Sequence, residues 1–134
     1  MSKARAGKEV HAIAENKIGT LSDISQWLAD KAINVKAVCA YIDGAKAHFL
    51  FVTSDNKKAM EILRAKEITA TEDEIVIVEM QDKVGMLKDL AKKLKSEDID
   101  IEYIYGSAPA GPNVPSLIVF DCNDNKKAIN VING

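Results

Sequence analysis

The sequence predicts an α+β fold of two ferredoxin-like repeats, each in the order strand, helix, strand, strand, helix, strand, with antiparallel sheets and the second repeat lacking its last strand. Three observations lead there. The stretch Glu15-Asn16-Lys17-Ile18-Gly19-Thr20-Leu21 returns 66 positions later as Gln81-Asp82-Lys83-Val84-Gly85-Met86-Leu87. The stretch Asn56-Lys57-Lys58-Ala59 returns 69 positions later as Asn125-Lys126-Lys127-Ala128. Between these marks, short apolar runs alternate with segments whose apolar residues fall three and four apart, which is the exchange of strand for helix periodicity.

In chain order, Met1 to Lys8 is basic and lacks the apolar stretch of a signal peptide, so residues 1–8 are expected as a loose tail. The first repeat spans residues 9–72. Val10 to Ala14 is its first strand; Leu21, Ile24, Trp27 and Leu28 mark the buried face of its first helix. Val35 to Ile42 and Ala47 to Thr53 are strands joined tightly at Asp43-Gly44, a pair suited to a two-residue hairpin. Asp55 caps a helix that carries Ala59, Ile62 and Leu63 inward, and Lys66 to Thr71 is a short closing strand.

The second repeat spans residues 73–134. Ile75 to Met80 opens it, Leu87, Leu90, Ala91 and Leu94 face its first helix, and Ile99 to Tyr105 and Leu117 to Cys122 are its hairpin strands. The three extra residues between the marks fall in that hairpin, where Gly106 to Pro115 forms a proline-punctuated loop able to lid a pocket. The absent last strand leaves a sheet edge for the amino-terminal segment or another chain to fill. Phe49 to Val52, Ile75 to Val78 and Leu117 to Phe120 are apolar at successive positions, so both faces of those strands must be covered, between repeats or between chains.

The totals narrow the function classes. With 47% hydrophobic and 28% charged residues the composition is that of a soluble globular protein, and a net charge of -2 gives no reason to expect nucleic acid. No run reaches the roughly 18 apolar residues of a membrane helix. Cys39 and Cys122 form no C-x-x-C pair and read as reduced cytoplasmic thiols; His11 and His48 are expected as neighbours on paired strands, but two histidines without a further ligand are a poor metal site. Neither a metal nor a cofactor is implied. No nucleophile elbow and no paired carboxylates near the loops point to an enzyme. Phe49 and Phe51 sit where an RNA-recognition module stacks bases, and they are read as core.

The repeated junctions carry the functional expectation. A polar residue, two intervening residues and a glycine lead into a helix whose free N–H groups and positive dipole end suit a carboxylate. Gly19 and Gly85 have no side chain to block a ligand; Asn16 donates and accepts, whereas Asp82 only accepts and suits an ammonium group. The candidate ligand-binding residues are therefore Asn16, Lys17, Ile18, Gly19, Thr20 and Leu21, with Asp82, Lys83, Val84, Gly85, Met86 and Leu87. The competing expectation is that Asn16 and Asp82 are helix caps and the glycines only turn residues.

On these junctions, together with Ile33-Asn34-Val35 and Ile99-Asp100-Ile101-Glu102-Tyr103 at the start of the second strands, the chain resembles tandem ACT-domain proteins from Val10 onward. The resemblance implies a non-catalytic regulatory protein that binds an amino acid at interfaces between ACT units, as a homodimer in the cytoplasm, and signals to a partner such as a metabolic enzyme. The alternative it leaves is an interaction module of the same fold without a ligand. The family commonly has proline before the loop glycine, where this chain has Ile18 and Val84.

Overall fold

The computed structural model describes residues 2–107, Pro109 and residues 111–134. Ten elements follow one another: β1 (Ser2–Glu15), α1 (Thr20–Asp30), β2 (Val35–Asp43), β3 (Lys46–Thr53), α2 (Asn56–Ala65), β4 (Thr69–Met80), α3 (Met86–Ser96), β5 (Ile101–Ser107), β6 (Ser116–Cys122) and α4 (Asn125–Asn133). The strand order is β2-β3-β1-β4-β6-β5 in one six-stranded sheet. The β1–β3, β2–β3, β4–β6 and β5–β6 pairings are antiparallel. The α+β class and the doubled plan are as the sequence implies.

The chain divides into two compact units, a continuous one from Lys8 to Asp73 and a split one made of the residues up to Gly7 with Glu74–Gly134. In the continuous unit α1 buries Ile24 and Leu28 and α2 buries Ala59 and Leu63, each pair one helical turn apart, against Val10, Ala12, Phe49 and Phe51 of the sheet. In the split unit Leu90 and Leu94 of α3 and Ala128 and Ile132 of α4 take the corresponding positions over Val76, Val78 and Phe120. Leu21 and Leu87, read from periodicity as buried, are 44% and 56% exposed, each the second residue of its helix.

One expectation about the chain's first residues is corrected, and one alternative left open by the sequence is decided. The expected loose tail over residues 1–8 does not hold for its described residues, since Ser2–Gly7 are the first half of β1. That half occupies the place of the second repeat's closing strand, so the edge left open in the sequence is filled by the amino-terminal segment of the same chain. Asn133, in the last turn of α4, fixes it: its Oδ1 accepts from the Ala4 N–H at 2.8 Å and its Nδ2 donates to the Ala4 carbonyl at 2.8 Å. In the continuous unit Arg64, at the matching place in α2, donates to the Ala70 carbonyl from Nε at 3.1 Å and from a terminal nitrogen at 2.8 Å. The short closing strand read at Lys66 to Thr71 and the opening strand read at Ile75 to Met80 are likewise one strand, β4.

Phe49 to Val52 and Ile75 to Val78 are buried throughout, whereas in Leu117 to Phe120 the last two residues are buried and the first two half-buried. Phe51 and Phe120 point toward the helices, while Leu50 and Val119, on the opposite face, are 3% and 0% exposed. The first hairpin closes with Asp43 paired to Lys46, which leaves Gly44 and Ala45 as the loop, with Gly44 at φ +62°. No helix among the described residues is long and apolar enough to cross a membrane.

Candidate functional site

Both strand–helix junctions are built the same way. Gly19 precedes α1 at φ +94°, ψ −5°, and Gly85 precedes α3 at φ +90°, ψ −9°, a left-handed geometry that costs any L side chain. At neither helix start does a capping side chain accept from a backbone N–H. The other two helices are capped in the ordinary way: Asp55 accepts from the Lys58 N–H at 3.1 Å and Asp124 from the Lys127 N–H at 3.0 Å. Asn16 and Asp82 are therefore not the caps of the helices they precede. The amino ends of α1 and α3 thus lack a side-chain acceptor, and the first N–H of α3, that of Met86, donates to the Lys83 carbonyl at 3.3 Å.

The space above each junction is open. A Cβ built on Gly19 or Gly85 would meet nothing within 4 Å. Asn16, Lys17 and Leu21 are exposed in the continuous unit, as are Asp82, Lys83 and Leu87 in the split unit, with Thr20 and Met86 half-buried. Ile18 and Val84, just before the loop glycines, stand fully exposed at 106% and 104% of reference. Main-chain and hydroxyl bonds hold the loops in shape: the Asn16 N–H donates to the Ala45 carbonyl at 2.9 Å, Thr20 Oγ1 donates to the Lys17 carbonyl at 3.1 Å, and the Lys83 N–H donates to the Gln81 carbonyl at 3.1 Å.

A cleft adjoins each junction. In the continuous unit it measures about 460 Å³ and is lined by Lys17, Thr20, Asp23, Trp27, Lys46 and Lys66 among others. Trp27 packs its ring on the core edge, and Lys66 Nζ lies over the ring 5.3 Å from its centroid. In the split unit a cleft of about 490 Å³ runs between Asp82–Lys83 and the proline loop, including Pro109, Pro112 and Pro115. A second cleft there, about 730 Å³, is lined by Met86 with Ala4, Leu90, Lys93 and Asn133. Volumes of this order suit a small metabolite.

Of the twelve residues expected from the sequence, each set is contiguous and the structure keeps it at one junction. Lys46, Lys66 and Trp27 were missed as cleft residues. Lys46 was within reach of inference, because the tight Asp43-Gly44 turn that precedes it had to end beside the loop of the neighbouring strand. Among the described residues no group of three or more His, Cys, Asp or Glu is placed to hold a metal ion.

The model of the family described as "ACT domain pair" matches residues 8–133. Protein BT0572 from Bacteroides thetaiotaomicron superposes with a TM-score of 0.86 at 25% identity, over 97% of this chain and 88% of that one. The ligand-free regulatory subunit of aspartate kinase from Thermus thermophilus superposes with a TM-score of 0.65 at 16% identity, over 97% and 94%. A structure of aspartokinase alpha and beta subunits gives 0.63 at 19% identity, over 96% and 93%. The last two share the fold with this chain. No curated protein matches it.

Proposed function

The chain belongs to the family of paired ACT domains, and from that premise we propose that it is a non-catalytic cytoplasmic regulatory protein that holds a free amino acid at its strand–helix junctions. The observation that carries this is the pair of uncapped helix starts beneath open space at Gly19 and Gly85, in a chain that caps its other two helices with aspartate. The amino acid's carboxylate takes the backbone donors of α1 or α3. In the split unit Asp82 takes the ammonium group, and in the continuous unit Asn16 with Asp23 does so.

A second copy of the chain is the partner that completes each site. Ile18, Leu21 and Val38 in the continuous unit and Val84, Leu87 and Ile104 in the split unit are exposed apolar residues at matching positions. Such repetition supports a homodimer that covers them. Occupancy is then passed to a metabolic enzyme, the kind of partner that the aspartate kinase relatives regulate, provided that the ligand binds one dimer arrangement better than another.

The same apolar residues favour one other reading, an interaction module whose junctions bind protein and no metabolite. Thermal shift and calorimetric titration with each of the twenty amino acids separate the two. The expected result is stabilisation by one or a few of them, worth about 2.7 kcal/mol at a hundred times the Kd. No heat and no shift with any of the twenty would leave the interaction module.

A further inference from the structure

The larger cleft of the split unit, about 730 Å³, has a counterpart in the continuous unit against which it can be compared wall by wall. On α3, Met86, Asp89, Leu90 and Lys93 stand where the repeat places Thr20, Asp23, Ile24 and Trp27 on α1. On α4, Ile132 and Asn133 stand where α2 has Leu63 and Arg64. The closing strands match through the side chains that hold them: Asn133 binds Ala4 as Arg64 binds Ala70, and both alanines are buried in the cores of their units. Two residues earlier on the same face, Ser2 therefore stands where the continuous unit has Ile68.

That exchange opens the cleft. Ile68 packs against the core of the continuous unit, its N–H donates to the Leu63 carbonyl at 3.0 Å, and Lys66 lies over the Trp27 ring. In the split unit the small Ser2 hydroxymethyl replaces the branched side chain and the Lys93 stem replaces the indole. Met86 and the edges of Leu90 and Ile132 then line the space. The fold itself thus shows which chemistry belongs over such a floor, since its other copy places a branched aliphatic group there.

Charge stands at the rim. Lys93 Nζ donates to the Ile132 carbonyl at 3.4 Å, longer than an ordinary N–H···O bond, so the ammonium is free to turn to a better acceptor. Asp89, one turn earlier on α3, also lines the cleft, and its carboxylate pairs at 3.6 Å with the exposed Lys88. Lys3 of β1 adds a second cation to the lining.

We propose that this cleft binds a small aliphatic carboxylate, its branched tail seated where the continuous unit has Ile68 and its carboxylate on Lys93. The site is separate from the glycine junctions and does not depend on their occupancy. Two kinds of molecule share this chemistry: a simple short-chain acid, and a free amino acid with the same tail, whose ammonium group meets Asp89. A cleft of this volume suits either.

The test follows the methyl signals of Leu90 and Ile132 by NMR in the full chain as isovalerate, leucine or isobutylamine is added. Isovalerate should shift both in a saturable way, and isobutylamine, with the same tail and the opposite charge, should not. Leucine bound more tightly than isovalerate identifies the amino acid as the ligand, and the reverse order identifies the simple acid. The Gly19 and Gly85 amides, read in the same samples, tell leucine held at a junction from leucine in the cleft. Ser2→Ile, which copies the arrangement of the continuous unit, should abolish the isovalerate shifts. Lys93→Ala should weaken binding roughly tenfold or more, as expected for loss of a charge-assisted hydrogen bond. The proposal is overturned by methyl signals that stay still with isovalerate and leucine alike, by equal shifts with isobutylamine, or by undiminished binding in folded Ser2→Ile or Lys93→Ala chains. Methyl shifts that follow protein concentration alone would overturn it as well, by assigning the cleft to a second copy of the chain. The titration of the unaltered chain decides the matter if a variant does not fold.

Discussion

Replacing the polar residue ahead of each helix by alanine separates a structural cap from a ligand group. In the split unit the pair to compare is Asp124 and Asp82; in the continuous unit it is Asp55 and Asn16. Asp124 and Asp55 each accept one backbone N–H, at 3.0 and 3.1 Å, and losing such a cap costs about 1 kcal/mol within a range of roughly 0.5–2. Asp82 and Asn16 are exposed and cap nothing, so their loss falls within the roughly ±0.5 kcal/mol of ordinary surface substitutions. At this chain length 1 kcal/mol corresponds to a Tm change of roughly 3–5 °C. Urea unfolding measures the four variants, with a shifted midpoint at constant slope as the sign of a true stability change. Asp82→Ala or Asn16→Ala as costly as its capping counterpart would mean that both junctions are ordinary helix starts. The same two variants, stable, should fail to show the amino-acid-induced shift of the unaltered chain.

Other consequences reach further into the fold. Ala32 follows α1 at φ +57°, and Ala32→Gly should stabilise by roughly 0.5–1 kcal/mol, read by thermal unfolding, because the relieved left-handed strain exceeds the added chain entropy. Asn133→Ala removes both 2.8 Å bonds to Ala4 and should cost about 1–3 kcal/mol with faster hydrogen exchange at the Ala4 amide; unchanged exchange there would contradict the clamp. Burial chiefly raises the Cys39 and Cys122 thiols above their ordinary range, helped at Cys39 by Glu9 and at Cys122 by Asp121, Asp124 and Glu102 against an opposing backbone hydrogen bond at Asp124. Alkylation at pH 8 should therefore be slower for both than for a small free thiol, with its rate inflection at higher pH, and urea should remove the difference.

Much of this architecture was legible because duplication wrote it twice. The repeated Gly19 and Gly85 placed the helix starts, and the offset at Asn56 and Asn125 located the longer hairpin. What escaped were properties that depend on partners distant in sequence. A basic stretch from Ser2 to Gly7 has no apolar pattern of its own, and it becomes a strand because α4 and β4 leave a place that Ala4 fills. Leu21 and Leu87 share the spacing of the buried residues, yet in the first turn of each helix they stand exposed. Helix ends were hidden for a similar reason: Ala32, Glu67 and Asp98 take the left-handed position where glycine would have marked the stop. The junction residues were found from local chemistry alone. Trp27 and Lys66 joined their cleft only through the close approach of α1 to the chain leaving α2.

Amide NMR spectra recorded during addition of a stabilising amino acid address the ligand claim most directly. The shifted signals should centre on Gly19, Thr20 and Leu21, on Gly85, Met86 and Leu87, or on both sets, and should vanish in Gly19→Ala and Gly85→Ala chains that remain folded. Shifts confined to other parts of the sheet, with both glycine junctions silent, would contradict it.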